Sequence, residues 1–159
     1  MPAVSGDRPH DDLHAPFRPV RSRRVAIGVA VAQGVLFAVL AVVMPSTGPV
    51  PWQWYDRLGL LLFAALVAAL LGRYARLEAV PSHDGLFVRN LVQKRELAWT
   101  EIVDVQFGDG DPWVTLDIAD GDTLAVMAVQ RADGPERSRA EARRLATLVA
   151  LHSRTERDD

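Results

Sequence analysis

Residues 95–105, RELAWTEIVDV, contain two short strand-like segments with a polar step between them. Leu97 and Trp99 share one face of the first segment, as alternate residues of a β-strand do. Residues 100–101 interrupt the alternation and predict a bend, after which a second strand-like segment begins. We therefore expect Trp99 and Ile102 to enter one hydrophobic core from two consecutive strands.

The same alternation recurs on both sides of this stretch. Strand-like segments cover residues 76–80, 86–90, 113–118 and 123–129, and Asp-Gly pairs mark turns. Residues 133–136, DGPE, have the composition of a helix start, and an apolar stripe then continues to residue 152. These elements predict an antiparallel β-sandwich or barrel of about six or seven strands capped by one C-terminal helix. The predicted core residues are Leu86, Val88, Leu97, Trp99, Ile102, Val105, Leu116, Leu145 and Val149. The helix arginines, Arg144 among them, are expected to face water.

Three stretches of sequence, together with the C-terminal helix, resemble a pleckstrin-homology (PH) domain. They are DGLFVRN at 84–90, LAWTEIVDVQF at 97–107 and TLDIADGDTLAV at 115–126. Their order is similar to that in the bacterial PH domains that follow two transmembrane helices in small actinobacterial proteins. The resemblance covers residues 77–152 and implies a PH-like α+β domain, which we expect to fold without the preceding helices. Residues 153–159 are predicted to be a charged tail.

Two uncharged apolar runs precede this domain, at residues 25–44 and 58–72. A helix of the first run's length reaches about 30 Å, the thickness of a bilayer's hydrocarbon core. The second run has no polar face, and the remaining chain is too small to enclose it. We predict a membrane α-helical hairpin over residues 25–72, with helices at about 25–44 and 56–74. A signal peptide is the alternative for the first run, but the run is longer than a usual signal core.

Aromatic and arginine side chains flank the second run, as at a membrane–water interface. They are Trp52, Trp54, Tyr55, Arg57 and Arg73. Arginines are also clustered just before the first run and just after the second, whereas the connector holds one. The positive-inside rule then places both termini in the cytoplasm of a multi-pass protein of the inner or plasma membrane. Residues 1–24 are predicted to be a disordered basic segment.

The composition limits the chemistry available to the chain. It has no cysteine, which excludes disulfides and thiolate nucleophiles, and its net charge of -2 gives no argument for nucleic-acid binding. No Ser-His-acid grouping or Gly-rich phosphate loop is recognisable. His10 and His14 have the spacing of a metal-binding pair, but their Pro- and Asp-rich surroundings favour disorder. We expect no catalytic site, no metal site and no cofactor.

Arg89, Lys94 and Arg95 form the basic group of the predicted sheet. They are candidates for contact with anionic lipid, and a solvated strand end is the other interpretation. The resulting hypothesis is a non-enzymatic, membrane-anchored interaction or scaffolding module. Its partners would be the lipid bilayer, an unidentified protein and, as a further candidate, a second copy of the chain. The alternative is a small regulatory subunit of a transport or channel complex. Transport would favour several polar and ionisable side chains within the membrane, whereas Gln33 is the one polar side chain in the apolar runs.

Overall fold

The computed structural model describes residues 13–155, which belong to two compact units. One unit contains Arg21–Arg76, and the other combines the segment before Arg21 with the chain from Leu77 onward. The helices are α1 (Arg21–Val43), α2 (Trp54–Tyr74) and α3 (Pro135–Thr155). The strands are β1 (Glu78–Pro81), β2 (Gly85–Arg89), β3 (Lys94–Ala98), β4 (Ile102–Gln106), β5 (Trp113–Ile118) and β6 (Thr123–Gln130).

The helical unit is an antiparallel pair. The Gln33 amide donates to the Ala64 carbonyl at 3.3 Å, and the rings of Phe37 and Phe63 meet edge to face at 5.9 Å. The helix α1 starts at Arg21 rather than at residue 25. It ends at Val43, two residues before Pro45, because a proline disfavours helical geometry in the residue that precedes the proline. The side chain of Gln33 therefore joins α1 to α2 within one chain.

The second unit contains two three-stranded antiparallel sheets, ordered β1-β2-β3 and β4-β5-β6. The helix α3 packs on β4 and β6, and the arrangement is consistent with a PH-like fold. The sheets are not closed into one another, so the predicted sandwich is supported while a barrel is not observed. The described residues form six strands, the lower of the two expected numbers.

Residues 95–105 form the corner between the two sheets. Residues Trp99–Glu101 form a single 3₁₀ turn between β3 and β4. The Glu101 carboxylate accepts the Ala98 backbone N–H at 2.7 Å, which stabilises the start of the turn. The Trp99 indole is 3% exposed, and its Nε1–H donates to the Ser82 carbonyl at 3.1 Å. The tryptophan thus fills the core while its one polar atom is hydrogen-bonded.

The predicted core residues are buried, except Val105, which is half-buried and packs against the core. Simple alternation would place Val103 beside Val105, but Val103 is 65% exposed. The register of β4 against β5 shifts between Ile102 and Asp104. This bulge inserts an extra residue, so Ile102 and Val105 both face inward although they are three positions apart.

Residues 13–20, directly before α1, pack against the domain, which corrects the prediction of disorder for this part of residues 1–24. Phe17 is 1% exposed and exchanges two backbone hydrogen bonds with Ala79 of β1, at 2.8 and 3.0 Å. The Val20 backbone N–H donates to the Asp133 carboxylate at 2.9 Å. Low overall hydrophobicity predicted disorder, but burial of Phe17 together with these hydrogen bonds offsets the entropy of ordering the segment. Residues 1–12, including His10, and residues 156–159 of the predicted tail lie outside the described residues.

Candidate interaction surface

Arg89 of the predicted basic group is engaged in an ion pair within its own sheet. Its Nη1 lies 2.9 Å from the Glu78 carboxylate, and its guanidinium lies over the Phe87 ring at 5.6 Å. Glu78 also pairs with Arg18 of the N-terminal segment at 3.1 Å. An arginine that shares a carboxylate in this way has less charge to offer an anionic ligand. Its role in the structure is to join β2 to β1.

Arg95 links the two sheets electrostatically. Its guanidinium lies 2.9 Å from Asp122 and 3.3 Å from Asp120, both in the turn between β5 and β6. The hydrogen bond with Asp122 is the main cause that raises the pKa of Arg95. The pKa of Asp122 is lowered, first by the backbone N–H of Thr123 and then by Arg95. Two acidic side chains therefore compensate the charge that was predicted to meet lipid.

Lys94 is the member of the group that remains available. It is exposed, and no ion pair involves it among residues 13–155. In the neighbouring turn between β2 and β3, Val92 is 86% exposed. The turn is held by Asn90, whose amide donates to the Ala125 carbonyl of β6 at 2.6 Å and accepts the Met127 N–H at 3.2 Å. A fixed turn thus presents one apolar and one cationic side chain.

The residues predicted for the membrane interface differ in their contacts. Trp54 and Tyr55 are 73% and 57% exposed, Arg73 is exposed, and Trp52 is half-buried. Arg57 donates to the carbonyls of Ala41 and Met44 at the end of α1. It also donates to the Ser46 hydroxyl at 2.9 Å. A guanidinium at this position satisfies terminal carbonyls of a helix and complements the helix dipole. Arg57 therefore caps α1.

Arg144 was expected to face water, and its placement corrects that expectation. Its guanidinium lies over the Phe17 ring at 3.7 Å and donates to the carbonyls of Leu13 and Ala15 at 3.2 and 2.9 Å. It also pairs with Glu141 at 2.8 Å. The arginine of α3 thus fixes the N-terminal segment against the domain. The sequence gives no local pattern that predicts this contact, because at least 127 residues separate Arg144 from the N-terminal residues that it contacts.

Two histidines are brought to the corner tryptophan. The His152 ring stacks on Trp99 with centroids 4.6 Å apart, and His14 meets His152 edge to face at 5.8 Å. His152 Nδ1 lies 2.8 Å from the Leu148 carbonyl. This cluster belongs to the packing of α3 and the N-terminal segment. In the described part of the chain, no group of three or more His, Asp or Glu side chains could hold a metal.

Comparison with known proteins supports the same fold. The sequence profile of the bacterial PH domain matches residues 75–147. Uncharacterized proteins from two strains of Mycobacterium tuberculosis and from Mycobacterium bovis are each 30% identical over 126 residues. Each alignment covers 79% of this chain and 76% of the relative. The chain contains a bacterial PH domain and belongs to the same family as these mycobacterial proteins.

The alignment with the mycobacterial proteins is longer than the bacterial PH domain itself. The alignment covers 126 residues, whereas the match to the bacterial PH domain extends only over residues 75–147. The relatives therefore share more of this chain than the PH unit from β1 to α3. No solved structure gives a significant match.

Proposed function

We propose that this protein is a membrane-anchored PH module that binds a partner at the cytoplasmic face and performs no catalysis. The observation that carries the proposal is the exposure of α1 and α2. Both are long and apolar enough to cross a bilayer, and only 11% and 6% of their most apolar stretches are buried. The core helix of a soluble protein would bury such a surface, whereas lipid solvates it.

The pairing of α1 with α2 supports a retained anchor over a cleaved signal peptide. Gln33 donates to Ala64, and Arg57 caps the carbonyl end of α1. A polar side chain at membrane depth favours a partner helix, since an unpaired amide in hydrocarbon is costly. Cleavage after α1 would leave the apolar surface of α2 without its neighbour.

The distribution of arginines supports a cytoplasmic location for both termini. Exposed arginines lie at the start of α1 (Arg21, Arg23 and Arg24) and just beyond the end of α2 (Arg76). Arg57, at the opposite end of the helix pair, is bonded to the end of α1. Under the positive-inside rule, the ends rich in Lys and Arg stay in the cytoplasm. The PH unit would then meet cytoplasmic partners.

Single cysteines test the anchoring and the topology, because the chain contains none of its own. Ser5→Cys and Ser153→Cys should react with an impermeant thiol reagent only after cells are opened. Ser46→Cys should react in intact cells, and the protein should stay with membranes after alkaline extraction. Labelling of Ser153→Cys without Ser46→Cys in intact cells contradicts the orientation, and release by alkali contradicts the anchor.

Contact with anionic lipid is proposed for the turn that carries Val92 and Lys94. A fluorophore sensitive to polarity, attached to Val92→Cys, should shift to shorter wavelength in nanodiscs rich in phosphatidylglycerol. Each basic residue near such a surface contributes about 1 kcal/mol, and salt screens it. The shift should therefore disappear at high salt and in the variant that also carries Lys94→Glu. The same label on Thr100→Cys, which is exposed in the corner between the sheets, serves as a position control. Equal spectra in anionic and zwitterionic nanodiscs reject lipid contact.

A further inference from the structure

A groove lies between the edge strand β4 and the helix α3. Val105 and the adjoining Phe107 form one wall, and both are half-buried apolar side chains. The opposite wall is α3, where Ala142 and Ala146 leave the space open because they carry only methyl groups. The groove has a volume of about 280 Å³. Small-molecule pockets usually hold roughly 300–1,000 Å³ and enclose their ligand, so this shallow groove suits side chains of a longer ligand better.

The backbone of β4 offers a second means of binding. In the sheet β4-β5-β6, β4 pairs with β5 alone, and no further strand pairs with its outer edge among the described residues. Alternate N–H and C=O groups of such an edge can pair with another extended chain. At Val105 the N–H donates to the neighbouring Asp104 carboxylate at 2.8 Å, and an added strand would replace this local bond.

The charge of the groove comes from two arginines of α3. Arg143 is exposed and has no ion pair within residues 13–155. Arg139 pairs at 3.0 Å with Asp109, whose side chain is 89% exposed on the loop after β4. Because so exposed a pair is weak, a ligand carboxylate can replace Asp109 at little cost. The Asp109 carboxylate marks where a carboxylate of the ligand would lie.

We propose that an extended acidic segment of a partner protein binds in this groove by adding a strand to β4. Apolar side chains of that segment would contact Val105 and Phe107, and its carboxylates would pair with Arg139 and Arg143. Backbone hydrogen bonding to β4 requires an extended polypeptide, which a lipid headgroup cannot supply. This proposal rests on the proposed role of the PH unit in recruiting a partner, and it names the chemistry of that partner.

The test measures fluorescence anisotropy of labelled peptides with the purified full-length chain in detergent micelles. The probe is (Val-Glu)₄, which alternates apolar and acidic side chains as a strand presents them. The comparison peptides are (Val-Lys)₄ and a (Val-Glu)₄ peptide in which every backbone amide is N-methylated, so that neither edge of it can donate the hydrogen bonds that a strand needs. Saturable binding is expected for the first peptide alone.

Substitutions then assign the binding to the groove. Arg143→Glu should weaken (Val-Glu)₄ binding about tenfold, because it removes one attraction and adds one repulsion. Ala146→Phe should abolish binding by filling the groove. Lys94→Glu on β3 makes the same change of charge away from the groove, and it should leave the affinity nearly unchanged.

Several outcomes overturn the proposal. They are failure of (Val-Glu)₄ to saturate the chain up to about 1 mM, equal binding of the N-methylated peptide, and equal loss with Lys94→Glu and Arg143→Glu. Displacement of the peptide by anionic vesicles, with no effect of Ala146→Phe, would assign the arginines to lipid and also reject the groove. These results leave the cysteine-labelling test of membrane anchoring untouched, so the two proposals can fail separately.

Discussion

Replacing Phe17 by alanine tests whether the N-terminal segment is part of the domain. The side chain is 1% exposed and lies within the core cluster. Truncating a fully buried phenylalanine typically costs about 3–5 kcal/mol, from lost burial and from the cavity that remains. The substitution also removes the ring beneath the Arg144 guanidinium, a contact worth about 0.5–2 kcal/mol. We therefore expect a total loss of at least about 3 kcal/mol.

Hydrogen exchange read by mass spectrometry can follow this loss in the full-length chain. Amides of β5, the central strand of its sheet, should exchange at least about 100-fold faster in Phe17→Ala, since 1.4 kcal/mol corresponds to a factor of ten. Val20→Ala is the matched control, because Val20 is 37% exposed and such changes usually stay within about 0.5 kcal/mol. A loss below about 1 kcal/mol for Phe17→Ala would show that the segment adds little to the core.

A fragment of residues 77–152 is expected to be much less stable than the complete domain, which revises the expectation that it folds alone. A fragment that starts at residue 77 lacks Phe17, and a loss of about 3–5 kcal/mol is a large part of the 5–15 kcal/mol that stabilises an ordinary domain. Joining residues 13–20 to residue 77 through a flexible linker should restore the thermal transition measured by circular dichroism. Equal melting temperatures with and without the segment would refute this account.

Three further outcomes are expected. Trp99→Ala should lower the free energy of unfolding by about 3–5 kcal/mol, measured by the same exchange experiment, and a cost below about 1 kcal/mol would show that the ring does not hold the corner. Asn90→Ala should cost about 1–3 kcal/mol, because the bonding groups of β6 lose their partner, and unchanged exchange in β6 would contradict the bridge between the sheets. The pKa of Asp122, measured by carbon NMR, should lie below its ordinary value of 3.8. Because this folded pKa is depressed, its contribution to stability is present above the ordinary pKa and is lost as pH falls through the folded one. A normal pKa for Asp122, or no change in it on Arg95→Ala, would contradict the ion pair.

Local pattern was sufficient to predict the elements of this protein. The alternation around Leu97 and Trp99, the Asp-Gly turns and the apolar stripe before His152 identified the strands, the corner and the final helix. These signals depend on neighbours within a few residues, and the sequence presents such neighbours directly. The length and uniform apolarity of the two runs likewise predicted two helices.

Side-chain partners were decided by the tertiary structure. Arg95 reads as a free cation in the sequence, but the fold brings Asp120 and Asp122 to it from another hairpin. The position of Val103 depends on a bulge that alternation does not reveal. In each case, the deciding contact joins residues that are distant along the chain, or depends on a register that pairing alone establishes.

The N-terminal segment shows the difference most clearly. Residues 1–24 as a whole are rich in Pro, Asp and Arg with few apolar side chains, which favoured disorder for the segment at 13–20 as well. Its order comes from a place in the core that only the folded sheets create, where Phe17 lies between Ala79 and Arg144. The sequence alone determined which segments become helices and strands, because those depend on local periodicity. The tertiary structure decided which charges are paired and which segments join the core, because both depend on contacts across the whole chain.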